Sequence, residues 1–376
     1  MTVGLYINAP RPIMITDCLA LPKQRDVQWY SPSNIELYDG ENGELVNLVS
    51  KFYLADDNTI IAFAGTSGHI KTFLTDFPKL WKDRDLNLRP MEYLQVKDYE
   101  IRNTEGYENW DCSVLGASVV PYEGEYKGPL INNYASLNEN WMFDTNNFGK
   151  CYTIGTGGEE LRQFIENTDA NLDKLGSAID FTEIGYLFNT LGGLNGRALF
   201  AQQTPPEKQT WGGLLQAHFF MDKEHGWVRT PPWFHLSAFY KGKDLSFRGI
   251  HKKVVFHSSQ PGEINNSVVI TGVMKDDGKV ETMEWPVSSP FVPEKAPRKM
   301  KQFDVLDLPN LITITAFVGL NEERRVNSST YHADQVDGIS FNNDNNSFSW
   351  NINGEVLGEW LRQEMLNDPS IAFWLK

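Results

Sequence analysis

The chain has 376 residues, of which 41% are hydrophobic and 12% aromatic, enough apolar material for a sizeable core and too much for a disordered chain. Its 34 Lys and Arg against 49 Asp and Glu leave a net charge of −15. That balance argues against a dedicated nucleic-acid binder, which needs a basic excess to neutralise phosphates. No apolar run approaches the ~18 residues of a membrane span, and the N-terminal segment has no basic-then-apolar signal, so a cytoplasmic chain without a membrane partner is expected.

The chain opens on two β-rich pieces, Val3 to Ile7 and Ile13 to Thr16, around the turn cluster Asn8-Ala9-Pro10-Arg11-Pro12, with Asp17 ending the second. A second hairpin follows: Lys51 to Ala55, a turn at Asp56-Asp57-Asn58, and a buried strand from Thr59 to Ala64. Gly65-Thr66-Ser67-Gly68 then opens a helix. Ile70, Phe73, Leu74, Phe77 and Trp81 recur at three- and four-residue steps and give it one apolar face, with a bend expected at Pro78.

Further strands are expected at Ser113 to Val120, Trp141 to Asp144 and Lys150 to Ile154. Gly157-Gly158 leads into a helix whose first residues, Glu159 and Glu160, suit the positive end of its dipole. Thr182 to Leu199 reads as another helix. Trp211-Gly212-Gly213 opens a strand from Leu214 to Met221, and a turn ending at Gly226 returns it into Trp227-Val228-Arg229.

Beyond about residue 240 the texture becomes all-β. Short pieces at Lys253 to His257, Val268 to Val273, Val280 to Trp285, Leu311 to Val318 and Ile339 to Phe341 alternate with turns. The Asn-rich stretch Asn342 to Asn346 reads as a loop, and a helix from Glu355 to Leu366 closes the pattern. Lys295, Arg298, Lys299 and Lys301 form a basic stretch that reads as a solvated linker. The whole is an α+β pattern, with two antiparallel sheets between helices over residues 1–240 and a mainly-β C-terminal domain over 241–376.

Three cysteines, Cys18, Cys112 and Cys151, without a CxxC, exclude a disulfide framework and a zinc finger and suit a reducing compartment. The seven histidines form no ligand cluster, and no GxxxxGK[ST] or GxGxxG occurs, so neither metal nor cofactor is expected. Cys18 reads as a small packed residue rather than a nucleophile.

Chemistry is expected at the N-terminus. Initiator methionine is removed before a small residue, and Thr2 is small. A terminal Thr carries its own base, because the free α-amine, with a pKa of ~7.7–8.0, can take the hydroxyl proton. Such a nucleophile needs a cation near the amine, a carboxylate to hold the cation, and N–H donors for the oxyanion. Asp17 ends the strand returning towards residue 2, Lys51 starts a strand that could pair with it, and Gly65 sits in a strand-to-helix turn.

The stretches TVGLYI…IMITDCLAL, LVSKFYLADDNTIIAFAGTSG, YTIGTGGEEL and WGGLLQAHFFMDKEHGWVR, in this order, resemble the signature stretches of proteasome β-subunits and the bacterial HslV peptidase. These are N-terminal nucleophile hydrolases, and the likeness covers about residues 1–235. The step from Lys51 to Gly65, 65 − 51 = 14, matches the family spacing. The resemblance implies a four-layer αββα sandwich and a threonine-type peptidase. It assigns Thr2 as nucleophile, Asp17 as the carboxylate holding Lys51, Gly65 N–H as oxyanion donor, and Thr156 in place of the family's serine beside the terminal amine. It also implies a peptide or protein substrate, a homo-oligomeric ring and an ATPase or unfoldase partner.

Two departures carry the alternative, an inactive subunit serving as an assembly or binding scaffold. From Thr2 to Asp17 is 17 − 2 = 15 steps, one fewer than in the family. Lys208 and Trp211 stand where the family has an Asp and a Ser.

Overall fold

The computed structural model describes residues 3–8, 12–20, 29–30, 44–45, 47–84, 89–103, 110–120, 130–135, 141–175, 215–221, 226–229, 233–257, 267–274, 280–288, 311–320, 323–332, 335–344 and 347–367. Thr2, the expected helix at 182–199, Lys208, Trp211 and the basic stretch at 295–301 lie outside the described residues.

In chain order the first elements are strands β1 (Val3–Ile7), β2 (Ile13–Asp17), β3 (Leu19–Ala20), β4 (Trp29–Tyr30), β5 (Glu44–Leu45), β6 (Asn47–Val49), β7 (Phe52–Asp56) and β8 (Thr59–Gly65). Helices α1 (Ser67–Lys82) and α2 (Pro90–Arg102) follow, then β9 (Cys112–Val120), β10 (Leu130–Ala135), β11 (Trp141–Thr145), β12 (Gly149–Gly155) and α3 (Gly158–Leu175). The next strands are β13 (Leu215–Phe220), β14 (Trp227–Arg229), β15 (Trp233–Lys241), β16 (Ser246–His257), β17 (Ser267–Met274) and β18 (Val280–Ser288). The last are β19 (Leu311–Leu320), β20 (Glu323–His332), β21 (Ile339–Asp344), β22 (Ser347–Ile352) and helix α4 (Gly354–Asn367).

Two antiparallel sheets carry the N-terminal part. One has the order β11-β12-β1-β2-β13-β14, the other β10-β9-β8-β7. Strand pleating sends alternate side chains to opposite faces, and here both faces of both sheets are covered. Tyr6, Met14 and Ile154 of the first sheet pack on Phe52, Ile60, Ala62, Leu115 and Ala117 of the second. On the first sheet's other face, Leu5, Ile7, Ile13, Ile15, Leu215 and Ala217 meet Leu161 and Ile165 of α3. On the second sheet's other face, Ile61, Phe63 and Val114 meet α1 and α2.

The apolar stripe of α1 explains its docking. Ile70, Phe73, Leu74, Phe77 and Trp81 are all buried in that last cluster, and the helix runs unbroken through Pro78. α2 and β10 carry no strong periodic signal. α2 is anchored instead by Pro90 at its first turn and by the Arg89 N–H donating to Glu92 Oε2 at 2.9 Å. Its Met91 and Leu94 press on β9 at Gly116, where an added Cβ would lie 2.5 Å from Leu94 Cδ2. One buried carboxylate locks α2 further: Asp98 accepts from Arg102 Nε at 3.0 Å and from Tyr134 Oη at 2.7 Å.

A third sheet has the order β20-β19-β15-β16-β17-β18-β6-β3. The boundary expected at 240/241 falls at the end of β15, a strand of this sheet. The sheet also takes in β3 and β6 from the N-terminal part. α4 packs on it through Tyr240, whose hydroxyl donates to the Gly358 carbonyl at 2.9 Å. The Asn-rich stretch is not a plain loop: residues 342–344 finish β21, which pairs with β22, because a hairpin ladder satisfies those backbone groups.

Candidate functional site

The two N-terminal sheets share one end where several expected site residues meet. In the first sheet, Asp17 closes β2 opposite Leu215 at the start of β13, while Val3 at the start of β1 lies opposite Gly155 at the end of β12. In the second, Lys51 sits just before β7, and its carbonyl accepts from Phe63 N–H at 3.0 Å, making it a further rung beside β8. Gly65 lies two residues beyond Phe63 on β8, at the same end.

Asp17 and Lys51 are in contact. Lys51 Nζ donates to Asp17 Oδ1 at 2.8 Å, with side-chain exposures of 6% and 0%. A buried ammonium or carboxylate is costly alone, so each side chain supplies the counter-charge the other requires. The backbone holds them as well: Val49 N–H donates to the Cys18 carbonyl at 2.8 Å, joining the segment before Lys51 to the one after Asp17. A lysine held in this way presents a fixed positive charge, with its remaining N–H directions set by the bond to Asp17.

Gly65 has φ +123°, and a Cβ there would run into the Asp111 carbonyl. Glycine is therefore required by the backbone at this turn. The next residue is clamped to the same neighbour: Thr66 N–H donates to Asp111 O at 2.8 Å and its hydroxyl to Asp111 Oδ2 at 2.6 Å. Asp111 N–H in turn donates to His69 Nδ1 at 2.9 Å, and the imidazole stacks on Trp110 with centroids 4.9 Å apart. Thr156 is exposed, between Gly155 and the start of α3. The structure thus brings Asp17 and Lys51 into contact and places Gly65 and Thr156 at the same end of the sandwich. Thr2 lies outside the described residues.

Sequence reasoning passed over the polar face behind this end. Thr16, Gln216 and His218 are buried between the sheets, Thr16 and Gln216 on one rung. The strand LQAHFF alternates polar and apolar, a pattern that ordinarily marks a solvent face. Here the second sheet covers that face, and His218 meets Phe52 edge-on at 4.4 Å. The hydroxyl of Thr16 and both amide atoms of Gln216 have no hydrogen-bond partner among the described residues.

Cys18, Cys112 and Cys151 are all buried, and none of them is joined in a disulfide. Burial pushes the Cys151 thiol up to about 12, and burial followed by the Asp98 charge pushes Cys112 up as well. Neither is an accessible thiolate at neutral pH. Among the described residues no group of His, Cys, Asp or Glu could hold a metal ion, and no helix is long and apolar enough to cross a membrane. No known protein family matches the chain, and no curated protein matches it.

Proposed function

We propose that the chain is a proteasome-like N-terminal nucleophile hydrolase, a threonine-type peptidase acting through Thr2 once Met1 is removed. The observation that carries this reading is the buried Asp17–Lys51 pair, 2.8 Å apart, at the end of the sandwich where β1 begins. The two sheets, with α1 and α2 on one side and α3 on the other, are read as the αββα sandwich of that family.

In this reading the Thr2 hydroxyl loses its proton to the chain's own α-amine and attacks the scissile carbonyl carbon. The Lys51 charge holds the amine in its basic form, and Asp17 holds Lys51. The Gly65 N–H supports the developing oxyanion, and the Thr156 hydroxyl steadies the amine. The amine's proton passes to the leaving nitrogen, and water then resolves the ester. The substrate is a peptide or protein, and copies of the chain form a ring that confines the sites, supplied by an ATPase or unfoldase.

One observation favours the second reading, an inactive scaffold of the same architecture. The β1–β2 ladder is regular, pairing Gly4 with Thr16 and Leu5 with Ile15. In that register Asp17 shares its pleat face with odd-numbered positions, so a nucleophile at an even number needs a break in the ladder before Gly4.

Intact-mass measurement comes first: a mass that retains Met1 removes the mechanism. With Met1 lost, Thr2→Ala should abolish turnover of fluorogenic peptides. Unchanged turnover would point to another nucleophile, and no turnover in the processed wild type would favour the scaffold.

A further inference from the structure

The third sheet reaches the Asp17–Lys51 pair through two very short strands. β3 begins two residues after Asp17, and β6 ends two residues before Lys51. They pair with each other, Leu19 opposite Leu48 and Ala20 opposite Asn47. β6 also pairs in parallel with β18, Val287 opposite Leu48 and Ser288 opposite Val49.

Strands of two and three residues do not hold themselves. Their place is set by what they pair with, and β18 is the strand that joins them to the rest of the sheet. β18 in turn is laddered along its length to β17, from Val280 opposite Met274 to Val287 opposite Ser267.

We infer that the C-terminal sheet is a positioning part of the site: β18 holds β6 and β3, and through them sets Lys51 against Asp17. The chemical path is short. Leu48 and Val49 are fixed on β18, Val49 N–H is bonded to the Cys18 carbonyl at 2.8 Å, and Asp17 and Lys51 are the residues next to Cys18 and Ser50. A change in β18, or a partner bound along the C-terminal sheet, alters the pair without touching either charged side chain. The inference concerns the pair alone, so it stands or falls independently of Thr2 as nucleophile.

The test reads the pair directly in the full chain. Lys51 is 5% exposed, whereas Lys71 and Lys79 on α1 are exposed. Acetylation by a succinimidyl ester, followed by peptide mass spectrometry, therefore reports Lys51 protection against two internal references. Hydrogen exchange of the peptide spanning 44–50 reports the pairing of β6. Val287→Pro and Ser288→Pro are made separately, because in a parallel ladder adjacent residues direct their N–H groups to opposite neighbours.

The variant that removes the bond to β6 should open 44–50 and raise Lys51 acetylation tenfold or more. Lys71 and Lys79 should stay unchanged, and Ser288→Ala should behave as wild type. The inference is overturned if 44–50 opens while Lys51 stays protected, or if neither proline opens 44–50. Should both variants fail to fold, the wild type in rising sub-denaturing urea decides. Lys51 acetylation and exchange at 44–50 should then rise together, and Lys51 exposure at lower urea than the opening of β6 overturns the inference.

Discussion

Replacing Lys51 by Met removes one charge from a pair with a 2.8 Å contact and leaves the fully buried Asp17 carboxylate behind. At an effective dielectric constant of ~20, two unit charges at that separation attract by about 6 kcal/mol. Desolvating them costs several kcal/mol per ion, so the intact pair adds little net stability. Deleting the cation alone keeps Asp17's penalty and loses the attraction, a cost of about 3–5 kcal/mol. Asp17→Leu alone should cost a similar amount by removing the buried counter-charge of Lys51. The double variant Lys51→Met with Asp17→Leu should lie within about 2 kcal/mol of wild type, because two apolar side chains then fill the space. Urea unfolding of the four proteins, monitored by tryptophan fluorescence, closes the double-mutant cycle. A Lys51→Met cost below about 1 kcal/mol, or strict additivity of the two changes, would refute a buried and coupled pair.

Gly65→Ala should lower stability by about 1–3 kcal/mol, since φ +123° and the Asp111 carbonyl both exclude a Cβ, and the thermal midpoint should fall accordingly. Arg102→Met takes the counter-charge from the buried Asp98 carboxylate and should cost about 3–5 kcal/mol in urea, more than Arg89→Met, whose partner Glu92 is half exposed. The Cys151 thiol, ordinarily near 9, is pushed up to about 12 by burial. Its native state therefore keeps a proton that the unfolded chain releases above pH 9. That stability is present below pH 9 and is lost as pH rises towards 12, by about 1.4 kcal/mol per pH unit, with Cys112 adding in the same direction. Unfolding midpoints between pH 8 and 11 test the sign, and Cys151→Ala should flatten the slope. In the native chain at pH 8, Cys112 and Cys151 should also resist a disulfide reagent that both titrate once unfolded.

Local pattern by itself determined the pieces whose signal is local. The hairpin of β1 and β2 was readable because a Pro-rich turn separates two β-rich runs, and β7 and β8 because Asp56-Asp57-Asn58 interrupts a long apolar stretch. α1 was readable from apolar steps of three and four residues, and the start of α3 from the acidic residues in its first turn. α2 has a weaker stripe and was not, since what fixes it is the close approach of Met91 and Leu94 to Gly116 and the buried Asp98.

Asp17 and Lys51 were readable as residue types, but their contact spans 34 positions and exists only because two sheets end together. Likewise Gln216 and His218 carry an alternation that predicts a wet face, and only the second sheet makes it dry. The capture of β3 and β6 by the C-terminal sheet is of the same kind. Two- and three-residue strands have no periodicity to read, because backbone hydrogen bonds to a partner distant in sequence, not side-chain pattern, decide where they lie.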